Sequence, residues 1–269
     1  MKRFPRLLMA LLFAICVSGS MLHAESIVVS NDEWMWSNSN TTGIGAGDGQ
    51  QFANNVAGWL TGGSGSILIL SSNFGLDNTA LIGYLSGLGY SVTVNTTGVA
   101  SLAGYSAVYL AGNSPAVSDA MLTSYVNGGG NVLLEAGTGC CGGSAGEAAQ
   151  WNPFLNNFGL GLATSYNGIN GVTSLPGFNT QGPYGPALFN GVSSIFIDNG
   201  NNVGVVGSGP GVQIFSDNNG NGLYGAWTVS TGVPEPSSIA LLGMGLMSLS
   251  LLFLRRGLLG RVGSEQTTN

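Results

Sequence analysis

Between Glu25 and Val233 the chain offers few kinds of group that can do chemistry. Ten carboxylates lie there: Glu25, Asp32, Glu33, Asp48, Asp77, Asp119, Glu135, Glu147, Asp198 and Asp217. There is no Lys or Arg in that stretch, and the one histidine, His23, precedes it. Two carboxylates can share acid and nucleophile duties in glycoside hydrolysis, so a carboxylate pair is the first chemistry to consider. Asp48 and Asp77 read as helix N-caps, and Ser144 with Glu147 fits a capping box. Of the other seven, Asp32, Glu33 and Glu135 stand out, because they fall at or just past the ends of the apolar runs SIVVS and NVLLE. Open α/β sheets bind ligands at that edge, and Asn73, Asn113 and Thr138 would join the acids there. Asp32 with Glu135 fits a catalytic pair, a cation site or a hydrogen-bonded polar cluster. Trp34 and Trp36 could stack on a sugar beside them or pack as core or rim.

Two further candidates are weaker on chemical grounds. Cys140 and Cys141 follow a strand within a glycine-rich turn, where an α/β enzyme could hold a nucleophile. A thiol reacts as the thiolate, and no nearby base lowers its pKa, so a vicinal disulfide or free thiols fit better. Asp217, Asn219 and Asn221 in DNNGNG match the first half of a calcium loop. The position that needs a bidentate glutamate is Thr228, and the flanks read as strands, which favours a hairpin turn. No cofactor is otherwise implied. A domain with acids and no bases cannot grip phosphates, which excludes nucleic acid as a partner.

The elements that must position these residues alternate. SIVVS (26–30), SILILSS (66–72), SVTVN (91–95), SAVYLAG (106–112) and NVLLEAG (131–137) read as strands. Between them Phe52, Val56, Trp59 and Leu60 share one helical face. Leu81, Ile82, Leu85 and Leu88 share another. A third helix is expected from Pro115 through Val126, ending at Gly128–Gly130, and Pro153 is expected to break a fourth. Alternating strands and helices predict an α/β domain, three-layered and flavodoxin-like or Rossmann-like, with a mainly parallel sheet. From residue 159 on, the short runs SSIFI (193–197), NVGVVG (202–207), VQIFS (212–216) and AWTVS (226–230) predict an antiparallel extension.

Both termini carry addresses. Residues 1–24 hold Lys2, Arg3 and Arg6, an apolar run and a small-residue end at Ala24, which predicts a signal peptide. Residues 237–254 carry no charge and are followed by Arg255 and Arg256. That is long enough for a transmembrane helix, with the arginines and the tail 257–269 held in the cytoplasm. The exported domain is then 25–232.

Pro234, Glu235 and Pro236, the apolar span and Arg255–Arg256 stand in an order that resembles the PEP-CTERM sorting signal of Gram-negative bacteria. The resemblance places that signal at 233–256. It implies recognition by exosortase, anchorage in the inner membrane before processing, and later release or attachment at the cell surface or in a biofilm matrix rich in exopolysaccharide. The exported domain resembles the class I glutamine amidotransferase-like fold. That resemblance rests on Asn31-Asp32-Glu33-Trp34, Phe52 with Trp59, Tyr125-Val126, Gly137-Thr138-Gly139 and Trp151-Asn152-Pro153-Phe154-Leu155. That family's activity uses a Cys with a His, and this domain has no His. The expectation is a non-enzymatic surface or matrix protein whose domain binds glycan or protein. A carbohydrate hydrolase and a purely structural matrix component are the alternatives.

Overall fold

A computed structural model describes residues 25–229 except 72–74, 113–116, 138, 140, 141 and 208. Five short apolar runs form the parallel heart of a sheet: β1 (Ser26–Ser30), β2 (Ser66–Leu70), β3 (Ser91–Asn95), β4 (Ala107–Ala111) and β5 (Asn131–Glu135). β10 (Val212–Ser216) and β11 (Gly222–Thr228) add antiparallel strands on one side. The seven run in the order β10-β11-β1-β5-β4-β2-β3. β1, β4 and β5 are buried at every position, as continuous apolar runs in a parallel sheet should be. β3, at the edge, is largely exposed.

Alternation along these strands feeds two cores. Val28, Ile69, Tyr109, Leu133 and Tyr224 face one side; Val29, Leu68, Leu110 and Leu134 face the other. Helices α1 (Gly49–Thr61) and α2 (Thr79–Gly87) cover the first face through Phe52, Val56, Leu60, Leu81 and Leu85. Helices α3 (Asp119–Asn127) and α4 (Gly143–Leu155) cover the second through Leu122, Val126, Trp151 and Phe154. Each helix buries most of the apolar stripe that the sequence spaces at helical period, but Leu88, expected on the α2 stripe, lies just past the helix and is 43 % exposed. The predicted α/β architecture is present in this form: a mostly parallel mixed sheet between helices. Phe52 sits at the centre of the first core, 5.7 Å from Trp36 and 5.3 Å from Phe189 between ring centroids.

Several helix ends differ from the sequence-based expectation, each for a local reason. Asp48 does precede α1, but its carboxylate does not cap that helix. One oxygen accepts from Ser193 N–H (2.7 Å), the Ser193 hydroxyl (2.8 Å) and Ser194 N–H (3.1 Å) instead. Asp77 is no cap, since α2 opens at Thr79 after Asn78. Ser144 and Glu147 form no capping box, because α4 starts at Gly143 and takes both residues inside it. Pro153 does not break α4. It removes one hydrogen bond near the end of the helix, which runs on to Leu155. Helix α3 opens on Ser118, whose hydroxyl accepts from Met121 N–H at 3.2 Å. The expected start at Pro115 lies outside the described residues.

The second half departs further. β6 (Leu160–Tyr166) and β7 (Asn170–Ser174) were not legible in the sequence. They pair as separate antiparallel ribbons with β9 (Asn201–Val205) and β8 (Ser194–Asp198). Only β10 and β11 extend the main sheet. The chain divides into the units Met1–Ser230 and Thr231–Asn269. Among the described residues no helix is long and apolar enough to cross a membrane. The expected signal peptide and the 237–254 span lie outside the described residues.

Asp48 yields a test. Hydrogen bonds from the Ser193 N–H and hydroxyl hold its carboxyl below the usual range. A depressed folded pKa adds stability above the unfolded value, lost as pH falls through the folded one. Asp48→Asn should lower stability at neutral pH by about 0.5–1 kcal/mol, because the site is partly solvated. It should also flatten the acid limb below about pH 4 in a melting-temperature profile.

Candidate functional site

Strand order sets where a ligand crevice would open. β1 leads to α1 on one face of the sheet, and its neighbour β5 leads to α4 on the other. The connections diverge at the carboxyl ends of β1 and β5, the place where open α/β sheets form binding crevices. Asp32, Glu33 and Glu135 all lie at this point, as the sequence predicted. Asn73, Asn113, Thr138, Cys140 and Cys141 lie outside the described residues.

The chain is zipped together beyond the strand ends. Ala136 N–H donates to Ser30 O (3.0 Å), and Glu33 N–H donates to Ala136 O (2.9 Å). From the other side, the turn linking β8 to β9 reaches in. Asn201 N–H donates to Asn31 O (2.9 Å), and Asp198 N–H donates to one Asp32 carboxylate oxygen. The other Asp32 oxygen accepts from Trp34 N–H at 3.0 Å, which turns the chain into the short 3-10 helix Trp34–Trp36. Asn199 takes a left-handed backbone (φ 62°), and Gly200 follows it. A β-carbon on Gly200 would stand 2.0 Å from Asn31 O, so only glycine lets this turn seat.

The result is a sealed edge. Asn31, Asp32, Glu33 and Glu135 are each 0 % exposed. Burial pushes the Asp32 carboxyl well above the usual range, against the lowering pull of the backbone bonds from Asp198 and Trp34. Glu135 sits in a row across the sheet, with Ser30 beside it on β1, Tyr224 beyond on β11 and Ala111 on β4. Tyr109 and Trp36 close over the same side. Burial likewise pushes Glu135 far up, while the Trp36 indole and Ser30 hydroxyl draw it down. Neither reaches Glu135 with normal hydrogen-bond geometry, the Ser30 hydroxyl donating instead to Asp32 O at 3.1 Å, and among the described residues neither Glu135 oxygen has a partner. Among the described residues no three acid, Cys or His side chains converge to hold a metal.

The remaining sequence candidates resolve into local roles. Trp36 is in the core, stacked on Phe52 at 7° between ring planes, and offers no face to a sugar. Trp34 is half-buried. Asp217 ties its own turn, accepting from Asn219 N–H (2.9 Å), Asn221 N–H (2.8 Å) and the Asn221 amide (2.9 Å). Sequence reasoning missed Tyr109 and Tyr224, which face Glu135 from strands distant in sequence. Residues 198–202 read DNGNN, a composition suited to a turn, but nothing in the sequence names the surface that turn covers.

Open clefts lie elsewhere. One of about 530 Å³ is lined by Leu102, Tyr105, Met121 and Tyr125 with Gly128–Gly130, at the opposite end of the parallel strands. Another, of about 470 Å³, holds Asn54, Asn55, Trp59 and Tyr90. A third, of about 560 Å³, holds Asn156, Asn157, Phe158 and Trp227. No charged side chain lines any of the three.

The C-terminal stretch decides what can be said of the chain's handling. Residues 232–256 match the PEP-CTERM protein-sorting motif. That match takes in Pro234, Glu235, Pro236, Arg255 and Arg256, which lie outside the described residues. The motif marks an exported protein, recognised by exosortase and anchored in the membrane before cleavage. No curated protein and no solved structure matches the chain.

The sealed edge predicts a sharp glycine requirement. Gly200→Ala should cost about 2–3 kcal/mol by overpacking against Asn31. Gly204→Ala, where the backbone is not left-handed and a β-carbon meets nothing within 4 Å, serves as the comparison without a clash. Chemical denaturation of both variants checks it.

Proposed function

We propose that this is an exosortase-processed surface or matrix protein whose α/β domain works by binding, without catalysis, and that its ligands are neutral glycans. The observation that carries this reading is the contrast between the sheet edge and the clefts. The three acids a hydrolase would use are completely buried, whereas the open clefts are uncharged and pair aromatic rings with asparagine amides. A sugar ring offers an apolar face to stack on Trp or Tyr and hydroxyls for amides to bond. A domain with ten acids and no base repels anionic polymers, so the favoured partner in a matrix is an uncharged exopolysaccharide.

The rest of the reading follows the chain. Residues 1–24 act as a signal peptide, 237–254 as the membrane span, and the processed domain ends in the biofilm or on the cell surface. The parallel core with helices on both faces supports kinship with the class I glutamine amidotransferase-like fold. The missing histidine supports a scaffold that keeps none of that family's chemistry.

A neutral-glycan array probed with the exported domain tests the reading, alongside a hydrolysis assay on each glycan bound. Binding should be retained in Asp32→Asn and Glu135→Gln. It should weaken by about tenfold in Trp59→Ala or Trp227→Ala, the effect of losing one stacking partner. Measurable turnover that Asp32→Asn or Glu135→Gln abolishes would establish the hydrolase instead.

A further inference from the structure

The Glu135 side chain occupies a cage with no counterpart elsewhere among the described residues. Ser30 and Tyr224 flank it along one row of the sheet, Tyr109 lies one row below, and Trp36 covers it. Trp36 is 1 % exposed and Tyr109 2 %, while Glu135 and Tyr224 are at 0 %. Both carboxyl oxygens, both phenol oxygens and the indole nitrogen make no hydrogen bond of normal geometry among the described residues. Such groups are normally paired, and leaving one buried without a partner destabilises the fold. Five in one cage are tolerable only if the carboxyl is uncharged, because a buried carboxylate without a cation is far more expensive.

No cation faces it. The titratable groups around it are Tyr109 from β4, Tyr224 from β11, Asp32 and Glu33 from the segment after β1, and, through Asp32, Asp198 at the end of β8. Helix α1 contributes apolar Phe52. The cage lid is the 3-10 turn, held by Trp36 N–H to Glu33 O (3.0 Å) and Glu33 N–H to Ala136 O (2.9 Å).

We propose that Glu135 and its aromatic cage form a pH-dependent lock on the segment Asn31–Ser37: closed while the carboxyl is neutral, released when it ionises. The step is a single proton loss to the buffer; no other bond is made or broken. The carboxylate then demands water, and the lid is the element that can lift to admit it.

The sign is fixed by linkage. In the unfolded chain a glutamate titrates near about pH 4.3. Burial holds Glu135 well above that, so the folded state keeps a proton the unfolded chain has given up. Stability is full below the unfolded pKa and falls as pH climbs towards the folded one. Asp32 acts in the same direction.

Hydrogen exchange of residues 31–37 and thermal melts, read on the full chain in detergent from about pH 5 to about pH 9, test the lock. After correction for intrinsic exchange, opening of 31–37 should rise by up to roughly tenfold per pH unit below the folded-state pKa, and the melting temperature should fall. Glu135→Gln is neutral at every pH and should remove at least half of that dependence, with Asp32→Asn measured alongside to account for the second acid. A wild-type chain with flat exchange and melting, or a Glu135→Gln chain with the wild-type slope, overturns the proposal. If Glu135→Gln does not fold, infrared difference spectra of the wild type decide. The protonated-carboxyl band should disappear in step with the opening of 31–37, and carboxylate bands alone at about pH 6 overturn the lock.

Discussion

Burying carboxyl groups in a domain that owns no cation is the constraint on which the rest of the structure turns. Most proteins answer a buried acid with Arg or Lys. Here the answer is backbone: Asp32 takes N–H groups from Trp34 and Asp198. Glu147, likewise buried at 3 % exposure, takes one from Gly137 at 3.0 Å. Each of these bonds joins the end of one element to another, so the acids act as fasteners between segments. Asp48 does the same on a more open site, tying the start of α1 to the start of β8.

The glycine content follows from those fasteners. A backbone donor can reach a buried carboxylate only if the two main chains approach closely. Gly137 and Gly200 are where this happens. A β-carbon on either would strike Asn31 O, at 2.7 and 2.0 Å. Gly75 stands in the same relation to Glu33, 2.6 Å from its carbonyl oxygen. Where β1 and β5 meet, the crevice that strand order would open is thereby filled by the protein's own turns.

Uncharged clefts complement this acid-sealed seam. The described clefts present Trp, Tyr, Phe and Asn with no ionic group, which suits neutral polymers and costs little desolvation on binding. On the proposed reading, sorting and binding occupy different parts of the chain. The motif at 232–256 carries only address information, and Glu235 belongs with it rather than with the domain's acids.

Period and composition made much of this legible in advance. The five parallel strands, the four helices and the placing of Asp32, Glu33 and Glu135 at strand ends follow from local pattern, because a strand or helix must bury its own apolar face. The sorting signal is contiguous and needs no fold to be read. β6 and β7 escaped, since runs such as LGLATSY and NGVTS carry little apolar alternation and are held by their partners β9 and β8. The capping roles of Asp48, Asp77 and Glu147 were misjudged because a carboxylate's partner is chosen by space, and Ser193 lies far from Asp48 in sequence. What the sequence by itself determined was the chemical inventory: acids without bases, three of them placed at one edge. Only the tertiary structure decided that this edge is closed, because closure depends on a turn at 198–201 meeting residues 31 and 32, a contact that no local pattern encodes.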